Sequence, residues 1–270
     1  MADRHDNSVC RLSIVVLTCN QAAFTMRLLR SMTEWLRDNP YRVEVILVDN
    51  GSVDDTVVKT NELIGREAII NLRVIEAGEN LGVARGRNLG LHAARGEVLM
   101  LLDNDTVADV ATFEALLEYV ERNKACGIAA PALYSPDGVL QASAKPFPGL
   151  ILKIAHVLRP GKELACERDE LLKRHPFYVI GACQIFRRDV LERVGELDEK
   201  IFYGPEDCDF CIRVREAGYT VDYLPHLHLT HDWRRATRRS PFSRLARLHI
   251  AALLHFWHKN GWRGDDPASC

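Results

Sequence analysis

The sequence predicts an α/β fold with a mostly parallel central sheet flanked by helices and followed by a helical tail. Three observations lead to this prediction. Apolar runs of strand length alternate with amphipathic segments of helical length through the first 125 residues. The runs are apolar at successive positions, as in strands whose two faces are both buried in a parallel sheet. Polar residues follow the runs directly, at the edge where open α/β sheets bind ligands.

Four strand–helix pairs are predicted in the first half. The strands are expected at 12–17, 43–48, 72–75 and 98–102, and the helices at 21–37, 82–94 and 110–123, with one more that Asp54-Asp55 begin. This regular alternation is typical of parallel strands joined by helical crossovers.

The second half is less regular. Strands are expected at 127–134, 178–187, 220–224 and 227–230, and helices at 189–194 and 205–217. The stretch 145–176 is rich in charge and proline, and we expect a mobile insertion there. Ser240-Pro241 should begin the last helix, because serine caps helices and proline suits their first turn, and Asn260-Gly261 should end it.

Composition limits the class of protein. The chain has 270 residues, 47% of them hydrophobic and 27% charged, which fits a globular protein of one or two domains with a large core. The net charge of −2 is no signature of nucleic-acid binding. No signal peptide is visible, and no segment has the roughly 18 successive apolar residues of a membrane span. The eight cysteines are scattered, as in reduced cytoplasmic proteins, so a cytoplasmic location is expected.

Two carboxylates end the fourth apolar run. Asp103 and Asp105 follow 98–102 at i, i+2 spacing. Mg²⁺ and Mn²⁺ prefer oxygen ligands, and such a pair can hold either cation against a diphosphate. The alternative is a strand that ends in a turn, with Asp105 capping the next helix. Thr18, Asp49 and Asn80 also follow predicted strands, so polar groups should converge at this edge.

A series of motifs resembles glycosyltransferase family 2, the inverting enzymes of the GT-A fold, in the bacterial branch described as rhamnosyltransferase-like. The resemblance covers about residues 11–232. Its motifs, in the order of the family, are 15–20, 48–52, 79–90, 102–105, 181–183 with 187–188, 194–199, 206–209 and His231. The resemblance implies one Rossmann-like GT-A unit with a nucleotide-sugar-binding half at 11–125 and an acceptor and catalytic half at 126–232. Residues 233–270 would form a basic helical tail.

The resemblance also implies a metal-dependent inverting glycosyltransferase. Asp103, Asp105 and His231 would hold Mn²⁺ or Mg²⁺, with Asp105 the direct ligand and Asp103 touching the ribose or acting through water. An imidazole ligand favours Mn²⁺ over Mg²⁺. Such an enzyme moves a sugar from a nucleotide-sugar donor, a UDP- or dTDP-sugar, to a hydroxyl of a saccharide, lipid-linked or small-molecule acceptor. Cell-surface polysaccharide or glycoconjugate synthesis is the expected setting.

The donor is expected to lie against the strand ends and the glycine-rich segment. By resemblance, Asp49 hydrogen-bonds the nucleotide base, and Thr18 and Asn20 line the same pocket; Cys19 stands where the family often has an aromatic residue. Asn80 begins a segment whose helix N-terminus suits a phosphate or a sugar edge. Either Arg85 or Arg87 could reach the donor. The glycines at 82, 86 and 90 share one helix face, and close packing on the sheet is the alternative reason for their spacing.

Glu206 and Asp207 open a predicted helix after Pro205. Acids there are stabilised by the helix dipole, which explains them without any function. Asp207 shares a face with Cys211 and Val214, however, and so points partly inward. By resemblance, Asp207 is the general base that deprotonates the acceptor hydroxyl, and Glu206 binds acceptor or donor hydroxyls.

The tail is locally basic, with eight Lys and Arg residues and one acid between His231 and Arg263. Arginines followed by an apolar, aromatic helix could lie on the anionic inner face of a membrane. Alternatively, the helix packs on the body, or some arginines fold over the donor diphosphate. The residues concerned are Arg234, Arg235, Arg238, Arg239, Arg244 and Arg247.

Two other functions are compatible with parts of this pattern. A sugar-phosphate nucleotidyltransferase shares the doubly wound sheet, but it needs a glycine-rich basic loop after the first strand, and residues 18–21 form no such loop. A non-catalytic nucleotide-sugar-binding protein would not need a complete set of acids, which this chain has.

Overall fold

The computed structural model of the chain describes residues 10–149, 152, 165–232 and 244–261. The first half alternates as predicted, and its elements agree with the predicted ranges to within about two residues. They are β1 (Leu12–Thr18), α1 (Ala22–Asp38), β2 (Val43–Asp49), α2 (Thr56–Glu67), β3 (Leu72–Glu76), α3 (Val83–Ala93) and β4 (Val98–Asp103).

The second half adds shorter elements. They are β5 (Thr106–Val107), α4 (Val110–Arg122), β6 (Cys126–Tyr134), β7 (Ala144–Lys145), α5 (Ala165–Glu170), β8 (Tyr178–Val179), β9 (Cys183–Arg187), α6 (Arg188–Val194), α7 (Glu206–Glu216), β10 (Thr220–His231) and α8 (Arg244–Asn260).

The central sheet has eight strands within the described residues, in the order β3-β2-β1-β4-β9-β6-β10-β5. The strands β1 to β4 are parallel, whereas β9 runs antiparallel to β4 and β6 and β5 antiparallel to β10. The register pairs Thr18 with Asp49 and Leu17 with Asp103. The polar residues that follow the apolar runs therefore lie side by side at one edge of the sheet.

Both faces of the sheet are buried. Along β1, Leu12, Ile14 and Val16 join the core under α1 and α4, while Val15 joins the core on the other face, which also takes in α3, α7 and α8. Because each face needs apolar side chains, the strands are apolar at successive positions, which confirms the basis of the fold prediction. Each fully buried aliphatic side chain stabilises the fold by about 1.5–3 kcal/mol.

Two local predictions were wrong. The strand expected at 178–187 is broken into β8 and β9, because the chain turns at Gly181 against a buried arginine. The two strands expected at 220–230 form the single strand β10, in which an irregularity between Leu224 and His228 accommodates Pro225, a residue that has no N–H to donate. The alternative in which Asp105 caps the next helix is excluded, since α4 begins at Val110 after Asp109.

The other late predictions are covered in part. α8 ends at Asn260 as predicted, whereas its predicted start at 240–241 lies outside the described residues, as does much of the expected insertion at 145–176. The division at residue 125 stays a prediction, and the strands of both halves belong to one sheet. Among the described residues, no helix combines the length and apolar character needed to cross a bilayer.

Candidate active site

A cavity of about 490 Å³ opens at the edge of the sheet where the parallel strands end. Its lining comes from the ends of β1, β4 and β10, the start of α3, the start of α7 and the segment around Gly181. Most of the predicted site residues line it. Those that do not are Asn20, Asp49 and Arg85.

Two carboxylates and an imidazole meet at one side of the cavity. Ligand atoms of Asp103, Asp105 and His231 lie within 4.8 Å of one another. The end of β10 brings His231 there, since His231 pairs with Thr106 and the N–H of Asp232 donates to the Asp105 carbonyl at 2.9 Å. The sequence prediction that these three side chains converge therefore agrees with the geometry.

The atoms of this cluster fit a divalent cation. Nε2 of His231 lies 3.2 Å from Oδ1 of Asp105, and no other donor reaches that buried oxygen among the described residues. Burial lowers the pKa of His231, but the hydrogen bond and charge of Asp105 outweigh it and raise the pKa above its usual value. The neutral imidazole and the carboxylate together form a donor set suited to Mn²⁺.

Gln141 is a contact of His231 that sequence reasoning missed. Its Oε1 lies 2.7 Å from Nδ1 of His231, and its Nε2 donates to the His231 carbonyl at 2.8 Å. Gln141 comes shortly after the 135–138 turn that follows β6, on the return arm of a hairpin. A polar residue returning beside the strand that carries the histidine is the signal that could have revealed it.

Hydroxyl and amide groups tie β1 to the cluster. Thr18 is buried, and its Oγ1 lies 2.8 Å from Oγ1 of Thr25. The Asn104 amide, between the two aspartates, donates to both hydroxyls at 3.2 and 3.0 Å. Asn104 was also missed, and its role is to fix the Asp103–Asp105 turn against β1.

Asp49 and Asn20 do not line the cavity; Asp49 is buried and Asn20 is exposed. Asp49 accepts a hydrogen bond from the Ser52 N–H at 3.1 Å through Oδ2, while its buried Oδ1 has no partner among the described residues. Asn20 braces the same loop, with its N–H donating to the Ser52 hydroxyl at 2.8 Å and its side-chain oxygen accepting from the Val53 N–H at 2.7 Å. The neighbouring Asn50, which lines the cavity, accepts from the Leu81 N–H at 2.9 Å.

The glycines of α3 have a packing role. A Cβ on Gly86 would lie 2.6 Å from a methyl carbon of Leu17, and one on Gly90 would lie 2.3 Å from a methyl carbon of Val15. The packing interpretation of these two positions is therefore confirmed. Asn80 lines the cavity just before the helix, whereas Arg85 is exposed and lies 3.9 Å from Glu199.

Arg87 is buried at the centre of the site. Its Nη2 donates to Oδ1 of Asp103 at 2.6 Å and to the Gly181 carbonyl at 2.8 Å, and its Nη1 lies 3.5 Å from Oε1 of Glu206. Burial lowers the pKa of Arg87, but Asp103, Glu206 and Asp207 outweigh it, so the guanidinium stays charged. Arg87 thus joins the metal-binding side of the cavity to the start of α7.

The start of α7 presents two acids to the cavity. Oδ2 of Asp207 accepts from the Gly181 N–H at 3.1 Å, and Oδ1 accepts from the Cys208 N–H at 2.7 Å. Burial raises the pKa of Asp207 against these two donors. Burial and the charge of Asp207 together raise the pKa of Glu206 to about 7.

Comparison with known proteins decides the family. The family model described as "Glycosyl transferase family 2" matches residues 13–195, well over half of the chain. The chain belongs to glycosyl transferase family 2. The motif resemblance is thereby confirmed, and the protein is a glycosyltransferase that uses a nucleotide-sugar donor.

Individual relatives of this protein and similar solved structures are also glycosyltransferases. N-acetylglucosaminyl-diphospho-decaprenol L-rhamnosyltransferase of Mycobacterium tuberculosis is 28% identical over 274 residues, covering 93% of this chain and 86% of the relative. Among solved structures, mannosyltransferase PcManGT from Pyrobaculum calidifontis, in complex with GDP-Man and Mn²⁺, has a TM-score of 0.65 at 20% identity and covers 97% of this chain and 67% of that chain. GalNAc-T7 with UDP, GalNAc and Mn²⁺ has a TM-score of 0.63 at 14% identity, covering 95% and 57%. These likenesses confirm the GT-A fold.

The C-terminal helix of this glycosyltransferase packs on the body. Phe256 and Trp257 are buried, and the Trp257 indole N–H donates to the Pro148 carbonyl at 3.1 Å. Nδ1 of His249 lies 2.9 Å from the carbonyl of Tyr203, which lines the cavity. Arg244 and Arg247 are exposed at the start of α8. The basic residues that lie outside the described residues are Arg234, Arg235, Arg238 and Arg239.

Proposed function

We propose that this enzyme is a metal-dependent inverting glycosyltransferase that moves a sugar from a UDP- or dTDP-sugar to an acceptor hydroxyl. The observation that carries the proposal is the placement of two acidic groups around one cavity. The cluster of Asp103, Asp105 and His231 stands on one side, Asp207 lines the same cavity, and Arg87 links the two.

Asp103, Asp105 and His231 would hold Mn²⁺ or Mg²⁺. The Asp105 carboxylate suits either cation, and the imidazole of His231 beside it supports Mn²⁺ in preference to Mg²⁺. When bound, the cation supplies charge neutralisation for the departing nucleoside diphosphate.

Asp207 acts as the general base. The acceptor oxygen attacks the anomeric carbon, the bond from that carbon to the diphosphate oxygen breaks, and the acceptor proton passes to a carboxylate oxygen of Asp207. The N–H groups of Gly181 and Cys208 fix this carboxylate at 3.1 and 2.7 Å. General base catalysis contributes about 10²–10⁴-fold, and positioning of donor and acceptor adds to it. Glu206 would bind a sugar hydroxyl.

The nucleotide would lie along the ends of β1 and β2. Thr18 and Asn80 line the cavity there, and the buried Oδ1 of Asp49 has an acceptor position that a pyrimidine N–H could use. Asn20 supports the same loop. The mycobacterial relative is named for an acceptor that is a diphospho-decaprenol lipid. By analogy, we propose a lipid-linked saccharide acceptor in cell-surface polysaccharide synthesis, with contact to the cytoplasmic face of the membrane through the basic tail.

The first test is a donor screen. Purified protein with Mn²⁺ is incubated with UDP-, dTDP- and GDP-sugars and a panel of saccharide and lipid-linked acceptors, and release of nucleoside diphosphate is measured. Asp207→Asn should lower the rate by about 10²–10⁴-fold while binding of nucleoside diphosphate persists. Asp137→Asn, in the exposed turn after β6, is the matched control and should leave the rate unchanged.

The outcomes separate the alternatives. Release from one donor that depends on Mn²⁺ and on Asp207 supports the proposal. Binding of a nucleoside diphosphate without turnover on any acceptor would favour a binding protein that has lost its chemistry. Failure to bind any nucleoside diphosphate would contradict the proposed site. Equal activity in EDTA would contradict the metal requirement alone.

A further inference from the structure

We propose that Gln141 is a positioning residue, which holds the His231 ring in the tautomer whose unprotonated Nε2 faces Asp105 and the cation. Gln141 has this role only if the metal site of the proposed function exists. The residue lines the cavity, but it belongs to the hairpin after β6 and not to any strand that carries a ligand.

The hydrogen bonds fix the orientation of the Gln141 amide. One end of the amide lies 2.8 Å from the His231 carbonyl oxygen, which can only accept a hydrogen bond, so that end is the NH₂ group. The other end is then the carbonyl Oε1, which lies 2.7 Å from Nδ1 of His231. Because Oε1 can only accept, Nδ1 carries the proton.

The tautomer has a direct consequence for the ligand cluster. With the proton on Nδ1, the Nε2 of a neutral imidazole presents a lone pair. Nε2 lies 3.2 Å from Oδ1 of Asp105, a buried oxygen that no other donor reaches among the described residues. Two acceptors at this distance repel unless a positive charge lies between them. Histidine ligands generally donate their other ring N–H to an acceptor such as a carboxylate, a carbonyl or water, which fixes the orientation of the ring for the metal. Oε1 of Gln141 is such an acceptor.

The backbone fixes the position of Gln141 itself. Its N–H donates to the Leu133 carbonyl at 2.8 Å, and its own carbonyl accepts from the Ser143 N–H at 2.8 Å. Leu133 lies on β6, which pairs with β10, and β10 carries His231. The hairpin therefore delivers the amide to the imidazole through a continuous set of backbone pairs.

A purely structural tether is the competing role. The NH₂ group of Gln141 bonds the backbone of β10, and this bond alone would hold the strand end. Two substitutions separate the roles. Gln141→Glu keeps an acceptor for Nδ1–H but loses the donor to the His231 carbonyl, whereas Gln141→Met, of similar size, loses both.

Metal affinity is the first readout. The Mn²⁺ dissociation constant of the full chain, measured without donor by electron paramagnetic resonance of free Mn²⁺, should rise about 10–100-fold in Gln141→Met and stay close to wild type in Gln141→Glu. In a His231→Ala background, Gln141→Met should cause no further loss. Equal losses in both variants would show a tether and overturn the proposal, as would unchanged affinity in Gln141→Met. If the wild-type chain itself binds no Mn²⁺, the metal site of the proposed function fails together with this role.

The tautomer can be observed without any variant. In metal-free wild-type protein, at a pH where imidazole is neutral, long-range ¹H–¹⁵N correlation should show a protonated Nδ1 and an unprotonated Nε2 for His231. The exposed His226 serves as an internal reference. A proton on Nε2 of His231 would overturn the proposal even if the Gln141 variants fold poorly.

Discussion

The two walls of the cavity are held in place in different ways. We name each wall for its proposed role. The donor wall, formed by Thr18, Asp103 and Asp105, is carried by the parallel ladder, whose backbone register sets the strand ends side by side. The base wall, formed by Gly181, Glu206 and Asp207, depends on side-chain contacts between distant parts of the chain. Substitutions far from the base wall in sequence should therefore disturb it while leaving the donor wall in place.

Contacts behind the base wall show this dependence. Asn88 of α3 exchanges two hydrogen bonds with the backbone of Leu197, at 2.9 and 3.1 Å. His249 of α8 contacts the Tyr203 carbonyl at 2.9 Å. Both contacts hold the irregular segment that leads into α7. Arg87 then connects the base wall, through Gly181 and Glu206, to Asp103 of the donor wall.

Replacing Arg87, which connects the two walls, should produce the largest effect. Arg87→Met leaves Glu206 buried and Asp103 partly buried without their shared cation, which should lower the free energy of unfolding by about 3–5 kcal/mol. Urea unfolding of metal-free protein at about pH 8, above the pKa of Glu206, measures the loss. Because part of it comes from an uncompensated Glu206, the double variant Arg87→Met/Glu206→Gln should lose less than the sum of the two single changes. Strict additivity would mean that Arg87 and Glu206 are not coupled.

The pH dependence of stability tests the same wall. The pKa of Glu206 is raised to about 7 by burial and by Asp207, whereas an unfolded chain has a glutamate pKa near 4.3. Between these values the folded protein binds more protons than the unfolded chain, so the stability contributed by Glu206 is lost as pH rises through that window.

Glu206→Gln should remove this dependence. As pH rises from about 5 to about 8, the free energy of unfolding of the variant should increase by on the order of 1–3 kcal/mol relative to that of the wild-type chain. Urea midpoints across the window, in EDTA, measure the difference. A wild-type stability that changes with pH in parallel with the variant would contradict a raised pKa at Glu206.

A single added carbon on the base wall gives a smaller effect. In Gly181→Ala, the new Cβ would lie 2.3 Å from Nη1 of Arg87, so the guanidinium or the turn must move, at a cost of about 1–3 kcal/mol. Since the Gly181 N–H also holds Asp207, kcat should fall while binding of nucleoside diphosphate is kept. Gly65→Ala is the matched control, because nothing lies within 4 Å of its Cβ. That helix substitution should stabilise the protein by about 0.5–1 kcal/mol. Equal thermal shifts in the two variants would show that the contact with Arg87 does not matter.

The same difference between the walls explains how much the sequence could predict. The donor wall was predictable, because buried parallel strands read as continuous apolar runs and the residue that follows each run must lie at the ligand edge. Asp103 and Asp105 were found in this way. On the base wall, periodicity indicated that Asp207 turns inward, but not what holds it. No spacing rule shows that Arg87 would lie beneath Asp103 and Glu206, or that Gly181 would break a predicted strand against it.

Non-local pairs account for the other omissions. Gln141 meets His231 because a hairpin returns beside β10, and the two residues are far apart in sequence. Asn104 was passed over because its neighbours are the two aspartates, although its amide is what secures their turn to β1. Such contacts depend on side-chain rotamers and on strand order, and neither is encoded in local pattern.

The smallest expected effect concerns α8, which supports the base wall from behind. Lys259 Nζ donates to Asp198 at 2.9 Å and lies 2.8 Å from the buried Asp209. Burial acts to raise the pKa of Asp198, but hydrogen bonds from Lys259 and His255 outweigh it and hold the pKa well below its usual range. A carboxylate whose pKa is depressed in the folded state stabilises that state at pH values above its pKa in the unfolded chain, near about 3.9. This contribution is lost as pH falls below that value.

Lys259→Met should therefore lower the free energy of unfolding by about 1 kcal/mol near neutral pH, and its difference from wild type should shrink as the medium is acidified below about pH 4. Lys59→Met, which removes an exposed pair with Asp55 on α2, is the control and should cost less. Activity measurements on the Lys259 variant test the difference between the two walls. Loss of Lys259 should lower kcat more than it weakens nucleoside diphosphate binding, because α8 contacts the Tyr203 carbonyl in the segment that leads into Asp207. An equal loss of both would mean that α8 stabilises the whole molecule without favouring the base wall.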